Sequence, residues 1–193
     1  SKSAILIDAK NGNILYQKKA NKACYPASIT KVMTALIVLE HCELDDEVTF
    51  SYRATHELEP GSTTIARTEG EVMTVRDCLH ALLLQSANEV AQGLAEHVAG
   101  SIEAFADMMN EKAVELGCTK THFNNPSGLN STEHYTTCHD MALILQAASK
   151  NPDFLEIESH ISYTIPATNK QEEETPIAQK HALGRNGPDH YEG

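Results

Sequence analysis

A mixed α/β fold, with strands first, a long helical middle and a strand after it, is what the 193-residue sequence predicts on three observations. Asn11-Gly12 stands between the apolar runs Ala4-Ile5-Leu6-Ile7 and Ile14-Leu15-Tyr16, and that dipeptide in that setting is the strongest short signal for an antiparallel hairpin, here over residues 3–17. Between about residues 28 and 149, apolar residues recur at spacings of three and four, as on the buried faces of helices. Ile161-Ser162-Tyr163-Thr164-Ile165 then alternates as a strand does. An antiparallel sheet flanked by helices, with an all-helical lobe inserted into it, explains that order. The expected organisation is a single domain over 1–193, with a sheet lobe from about 1–55 and 158–193 and a helical lobe at about 56–157.

The elements follow in order. A polar connection over residues 18–25 delivers the chain to a helix expected over 28–42, with Ile29, Val32, Met33, Leu36 and Ile37 as its apolar ladder. Val48-Thr49-Phe50 reads as a short strand or extended loop, and the stretch from Glu59, with Pro60-Gly61, as a loop carrying a small hairpin. Thr74 opens a helix with Leu79, Leu82 and Leu83 on its stripe, ending near Gln85. Ser86 and Glu89 have capping-box spacing, which predicts a fresh helix through Val90, Leu94 and Val98. Ser101 caps another, carrying Ile102, Phe105, Met109, Ala113 and Leu116, with Gly117 as terminator. Asn124-Asn125-Pro126-Ser127-Gly128 is a dense turn cluster. Thr137 and Asp140 cap a helix from Cys138 to about Ser149, which Asn151-Pro152 stops. Residues 171–174 and 184–188 are polar and turn-prone. Three expected strands are few for a sheet covering the helix at 28–42, since a strand without neighbours leaves backbone groups unpaired.

Composition excludes several classes of function. A formal charge of -12 leaves no basic footprint for a phosphate backbone, so no nucleic acid is expected as partner. The 41% apolar and 22% charged content is that of a globular chain, and no apolar run reaches the roughly 18 residues of a membrane span. Five cysteines without a Cys-x-x-Cys pair fit neither a structural zinc site nor a thioredoxin-like site, and Cys42 and Cys78 are expected as buried free thiols. Among ten histidines there is no His-Glu-x-x-His, because position 60 is proline; no metal ligand is assigned, and His134 is expected to fix the loop 124–137.

The chemistry concentrates at Ser28-Ile29-Thr30-Lys31. Residues three apart on a helix are neighbours, so Lys31 can reach the Ser28 hydroxyl. A lysine in a first turn is electrostatically disfavoured, because that helix end is positive. Kept neutral for part of the time by such surroundings and by burial, Lys31 can take a proton from Ser28 and turn a weak nucleophile into an attacking one. The plainer alternative is a capping serine beside a solvated lysine.

Ser28-Ile29-Thr30-Lys31 and, 58 residues on, Ser86-Ala87-Asn88 together resemble the first two of three signature motifs of the penicillin-recognising serine enzymes. Tyr25-Pro26-Ala27 before Ser28, Leu84-Gln85 before Ser86, Asn125-Pro126-Ser127-Gly128-Leu129 and His134-Tyr135-Thr136-Thr137 sharpen the resemblance to the low-molecular-mass penicillin-binding proteins, the serine-type D-alanyl-D-alanine carboxypeptidases. The resemblance implies the serine beta-lactamase/transpeptidase-like fold and an extracytoplasmic bacterial enzyme, placed in the periplasm or on the outer face of the membrane. It implies that Ser28 is the nucleophile, Lys31 its base, Ser86 a proton relay and Asn88 a substrate-binding residue. Peptidoglycan stem peptides would be substrates and beta-lactams inhibitors. No cofactor is implied, because lysine supplies the proton transfer, and a membrane anchor would lie outside this chain.

The third motif, Lys-Thr-Gly on a strand edging the cleft, does not occur in the sequence. The chain is therefore expected to be the N-terminal portion of a longer protein, an incomplete catalytic domain with an incomplete sheet. By itself it is expected to be inactive, and to be unstable or self-associating. Two alternatives stand beside the peptidase. A serine beta-lactamase of the same fold would in its commonest class carry a Glu-x-x-Leu-Asn pattern, where this chain has only Glu133. A non-catalytic peptidoglycan-binding or interaction protein could use the same scaffold.

Overall fold

A computed structural model describes residues 2–129 and 131–179. The expected features of residues 184–188 lie outside the described residues. In chain order the elements are β1 (Ala4–Ile7), β2 (Ile14–Lys18), a 3-10 turn (Ala27–Ile29), α1 (Thr30–His41), β3 (Glu47–Thr49), α2 (Tyr52–His56), β4 (Val72–Thr74), α3 (Val75–Gln85), α4 (Asn88–Ala99), α5 (Ile102–Glu115), α6 (Cys138–Ser149), α7 (Pro152–Ser159), β5 (Ser162–Ile165) and β6 (Thr175–Ala178). The class is the mixed α/β one expected. Among the described residues the strands form three two-stranded antiparallel ladders, β1 with β2, β3 with β4 and β5 with β6, in place of one continuous sheet.

α1 is the core of the molecule. Met33, Leu36, Ile37 and Val38 are each at most 3% exposed, and the helix is packed by α3, α4, α5, α6 and α7. Each such side chain contributes about 1.5–3 kcal/mol relative to leaving it in water. Ile29 departs from the expected ladder. It is 51% exposed, because the 3-10 turn rotates it out of the core and into an apolar groove with Ile5, Leu6, Ile7, Met141 and Leu145. The β1–β2 hairpin turns where Asn11-Gly12 predicts, with Gly12 at φ 76° and its N–H donating to the Asp8 carbonyl. The hairpin leaves Leu6, Ile14, Leu15 and Tyr16 exposed.

The caps at Thr74, Ser101 and Thr137 form as expected, each hydroxyl accepting the N–H three residues on, from Asp77, Ala104 and Asp140. Three elements were not expected. Ser51 caps the short α2, Thr175-Pro176-Ile177-Ala178 pairs with β5 as β6, and Asn151-Pro152 starts α7 as well as ending α6. The Asn151 side chain accepts from the Asp153 and Phe154 amides with proline at the first turn, where its missing N–H costs nothing. The capping box at Ser86 and Glu89 does not form. Ser86 is the left-handed C-cap of α3 (φ 55°), Ala87 is the N-cap of α4, and Glu89 is drawn to another loop.

Candidate active site

The segment Pro26-Ala27-Ser28 is shaped by a neighbouring loop. Ser28 occupies the middle of the 3-10 turn with its side chain exposed, one residue after Ala27, whose φ of 45° lies in the left-handed region. That conformation costs a non-glycine residue about 1–2 kcal/mol and persists only where its surroundings hold it. Gly128 supplies the hold. A Cβ at 128 would lie 1.8 Å from the Ala27 carbonyl oxygen and 3.1 Å from Thr30 Oγ1, so only glycine lets the two backbones meet.

One and two residues back along the same loop, carbonyls take up the polar side chains of α1. Lys31, 3% exposed, donates from Nζ to the Ser127 carbonyl at 2.7 Å. Thr34 Oγ1 donates to the Pro126 carbonyl at 2.7 Å. Ala27, Thr30, Lys31 and Thr34 fall at helical spacing, so one face of the first turns of α1 is clamped by Pro126-Ser127-Gly128. A buried amine is costly unless hydrogen-bonded, and the Ser127 carbonyl accepts from Nζ and directs it.

The clamp has its own scaffold. Asn125 Oδ1 accepts from the amides of Ser127 (3.2 Å), Gly128 (2.7 Å) and Leu129 (3.1 Å), which folds the turn around one side-chain oxygen. Asn110 on α5 donates to the Phe123 carbonyl and accepts the Phe123 N–H, both at 2.8 Å. His134, 1% exposed, closes the frame: the Asn124 N–H donates to its Nδ1 at 3.2 Å, and its Nε2 lies 2.9 Å from Thr30 Oγ1. An Nδ1 that accepts leaves Nε2 carrying the hydrogen, so His134 donates to Thr30. Burial, with a smaller effect from His122, pushes its pKa down to about 4, so the ring is neutral. The expectation that His134 fixes the loop holds, and its reach to α1 adds a second task that sequence spacing did not reveal.

Ser86 and Asn88 sit at the break between α3 and α4, two helices packed against each other and against α1. Ser86 is half-buried in the left-handed cap, and Asn88 is 6% exposed with its N–H donating to the Thr63 carbonyl at 2.8 Å. The break is held from behind by Glu89, whose Oε1 accepts the Ile65 N–H at 2.6 Å and the Arg67 N–H at 3.4 Å. Burial raises the Glu89 pKa against the lowering effect of those bonds. Arg67 and Glu71, each 1% exposed in their side chains, pair at 2.8 Å, and Arg67 also donates to Thr175 Oγ1 of β6 at 2.9 Å. The sequence-expected residues thus occupy the N-terminal ends of two packed helices, α1 and α4, and the C-cap of α3. The loop residues Gly128, Asn125 and His134 complete the frame. Their family words were legible in the sequence, whereas their contacts to Ala27 and Thr30 were not.

A protein-family profile described as D-alanyl-D-alanine carboxypeptidase matches residues 1–186. The chain is similar to a D-alanyl-D-alanine carboxypeptidase of Bacillus subtilis, 36% identical over 169 residues that make up 85% of this chain and 41% of that protein. Its fold is similar to the crystal structure of a D-alanyl-D-alanine carboxypeptidase from Mycobacterium tuberculosis (TM-score 0.86, 32% identity, 97% of this chain and 69% of that one). It is also similar to penicillin-binding protein 6B from Escherichia coli (TM-score 0.84, 28% identity, 95% and 59%). The chain spans about half the length of the curated relatives it matches, from 41% in the first to 57% in the second. With a profile matched over almost its whole length, the chain belongs to the D-alanyl-D-alanine carboxypeptidase family.

Proposed function

We propose that this chain carries the acylating machinery of a serine-type D-Ala-D-Ala carboxypeptidase that trims peptidoglycan stem peptides outside the bacterial cytoplasm. The observation that carries the reading is the pairing of an exposed Ser28 with a buried Lys31 one helical turn away, its amine directed by the Ser127 carbonyl. In the forward step Ser28 Oγ attacks the carbonyl between the two terminal D-alanines and Lys31, as neutral amine, takes the hydroxyl proton. The tetrahedral intermediate collapses with loss of D-alanine, whose nitrogen receives a proton relayed through Ser86 from the Lys31 ammonium. Asn88 positions the substrate amide and the lysine. Water then hydrolyses the ester on Ser28, returning the serine and releasing the shortened peptide. Dividing a difficult amide cleavage into two acyl transfers is what the covalent intermediate achieves. The Ser28 N–H serves as one donor to the oxyanion.

A beta-lactam presents the same kind of carbonyl in a strained ring and acylates Ser28 in the same way. The test is intact-mass measurement of the protein carrying this chain after incubation with benzylpenicillin. The expected result is a single adduct that is absent in Ser28→Ala and forms orders of magnitude more slowly in Lys31→Ala, since general-base assistance contributes roughly 10²–10⁴-fold. An undiminished adduct in Ser28→Ala overturns the assignment.

A further inference from the structure

The two helices that present Lys31 and Asn88 also end together. α1 stops at its C-cap Cys42, α4 carries His97 in its last turn, and the turn leading to β3 brings Asp46 alongside. The Cys42 sulfur, one Asp46 carboxylate oxygen and one His97 ring nitrogen all lie within 4.8 Å of one another. Cys42 is half-buried and His97 exposed. At a rise of about 1.5 Å per residue the cluster stands about 16 Å from Lys31 along α1 and about 14 Å from Asn88 along α4, well away from the peptidase chemistry.

We propose that Cys42, Asp46 and His97 form a zinc site that joins the C-terminal ends of α1 and α4. Thiolate, imidazole and carboxylate are the three donor types zinc takes, and bond lengths of about 2.0–2.3 Å in a tetrahedron place its ligand atoms roughly 3.3–3.7 Å apart. Rotation of the exposed His97 ring and a small shift of the turn close the remaining ångström. The turn is already built to aim Asp46. The Glu43 N–H donates to Asp46 Oδ2 at 2.9 Å, the Asp46 N–H donates to the Glu43 carbonyl at 3.2 Å, and the Val75 N–H donates to the Asp46 carbonyl at 2.8 Å. Such second-layer bonds orient a metal ligand and leave Oδ1 for the cation.

Electrostatics favours the same occupant. The cluster lies at the negative ends of two helix dipoles, where a cation is stabilised. Glu43, Asp45 and Glu47 of the same turn add negative charge, and Arg76 is engaged with Asp45 at 3.7 Å. A single soft sulfur with one nitrogen and one oxygen suits zinc better than magnesium or calcium, which take all-oxygen cages. Three protein ligands leave a fourth position for water. Fixing the far ends of α1 and α4 would in turn steady the near ends that carry Lys31 and Asn88.

The test is anaerobic titration of the reduced, chelator-stripped protein with Co²⁺ as spectroscopic probe, followed by competition with Zn²⁺. The expected result is a tetrahedral spectrum with a thiolate-to-cobalt charge-transfer band that zinc abolishes. Cys42→Ser removes the band, and His97→Gln weakens binding by more than about tenfold, the low end of what even an outer-shell partner contributes. Zinc raises the thermal midpoint of the unaltered protein and of neither variant. If Cys42→Ser does not fold, His97→Gln decides alone, because that side chain is exposed. A six-coordinate spectrum without thiolate character, or unchanged binding in His97→Gln, overturns the proposal.

Discussion

Protonating His134 should loosen the loop that holds Lys31, and the size of the effect follows from its surroundings. The ring is 1% exposed, sits edge-on to Phe123, accepts the Asn124 N–H on Nδ1 and faces Thr30 Oγ1 with Nε2. A proton on Nδ1 would set two donors against each other at Asn124 and bury a charge that His122 disfavours further. The pKa falls from 6.5 to about 4 in the folded protein, a difference worth about 3 kcal/mol. Because the folded value is the lower one, the unfolded chain binds the proton first. Stability from this group is complete above pH 6.5, declines as pH falls toward 4, and has been lost below that. The assay is urea unfolding at intervals from neutral pH to below 4 for the unaltered protein and for His134→Gln. The difference in unfolding free energy between the two should shrink by about 3 kcal/mol across that window, carboxylate titrations cancelling in the subtraction. Nitrogen chemical shifts of the ring should report an Nε2–H tautomer at neutral pH. A pH-independent difference between the two proteins, or a folded-state pKa near 6.5, would refute the reasoning.

Two further outcomes concern the same frame. Gly128→Ala places a Cβ 1.8 Å from the Ala27 carbonyl oxygen at a φ of +87°, and should cost at least about 3 kcal/mol in urea unfolding while slowing acylation of Ser28 by benzylpenicillin. Arg67→Met leaves Glu71 buried without its partner and should cost about 3–5 kcal/mol by the same measurement, whereas Arg67→Met combined with Glu71→Leu should recover much of the loss.

The parts of the fold that were legible in the sequence are those whose cause is local. Asn11-Gly12 specifies its turn through backbone freedom at Gly12, and Thr74, Ser101 and Thr137 specify helix starts through a hydroxyl and an amide three residues apart. The same logic failed at Ser86, where the spacing to Glu89 was right but the backbone was not. A left-handed Ser86 cannot cap the next helix, and Glu89 gains two amides from the loop at Ile65 and Arg67, more than a capping box would give it. β6 was illegible because Pro176 and the preceding glutamates disguise a strand whose justification is its partner β5 and the Arg67 bond to Thr175. Asn151-Pro152 carries two meanings at once, a stop for α6 and a start for α7, and local reading found only the first.

At the candidate site the division is similar, but it falls between chemistry and support. Ser28 and Lys31 stand three residues apart at a helix start, a spacing that lets hydroxyl and amine share one face, and the family words around them are what single them out. The support around the pair comes from about a hundred residues away: the Ser127 carbonyl on Nζ, the Gly128 backbone against Ala27, and His134 on Thr30. None of these can be derived from spacing, because each is a contact between a helix and a loop whose relative placement depends on α5 through Asn110 and Phe123. The strain at Ala27 ties the two halves together. A left-handed alanine immediately before Ser28 is stable only while the loop is docked, and docking in turn requires a glycine at 128 and a neutral imidazole at 134. Loss of either therefore acts on Ser28 through the backbone that carries it, although neither residue comes between Ser28 and Lys31.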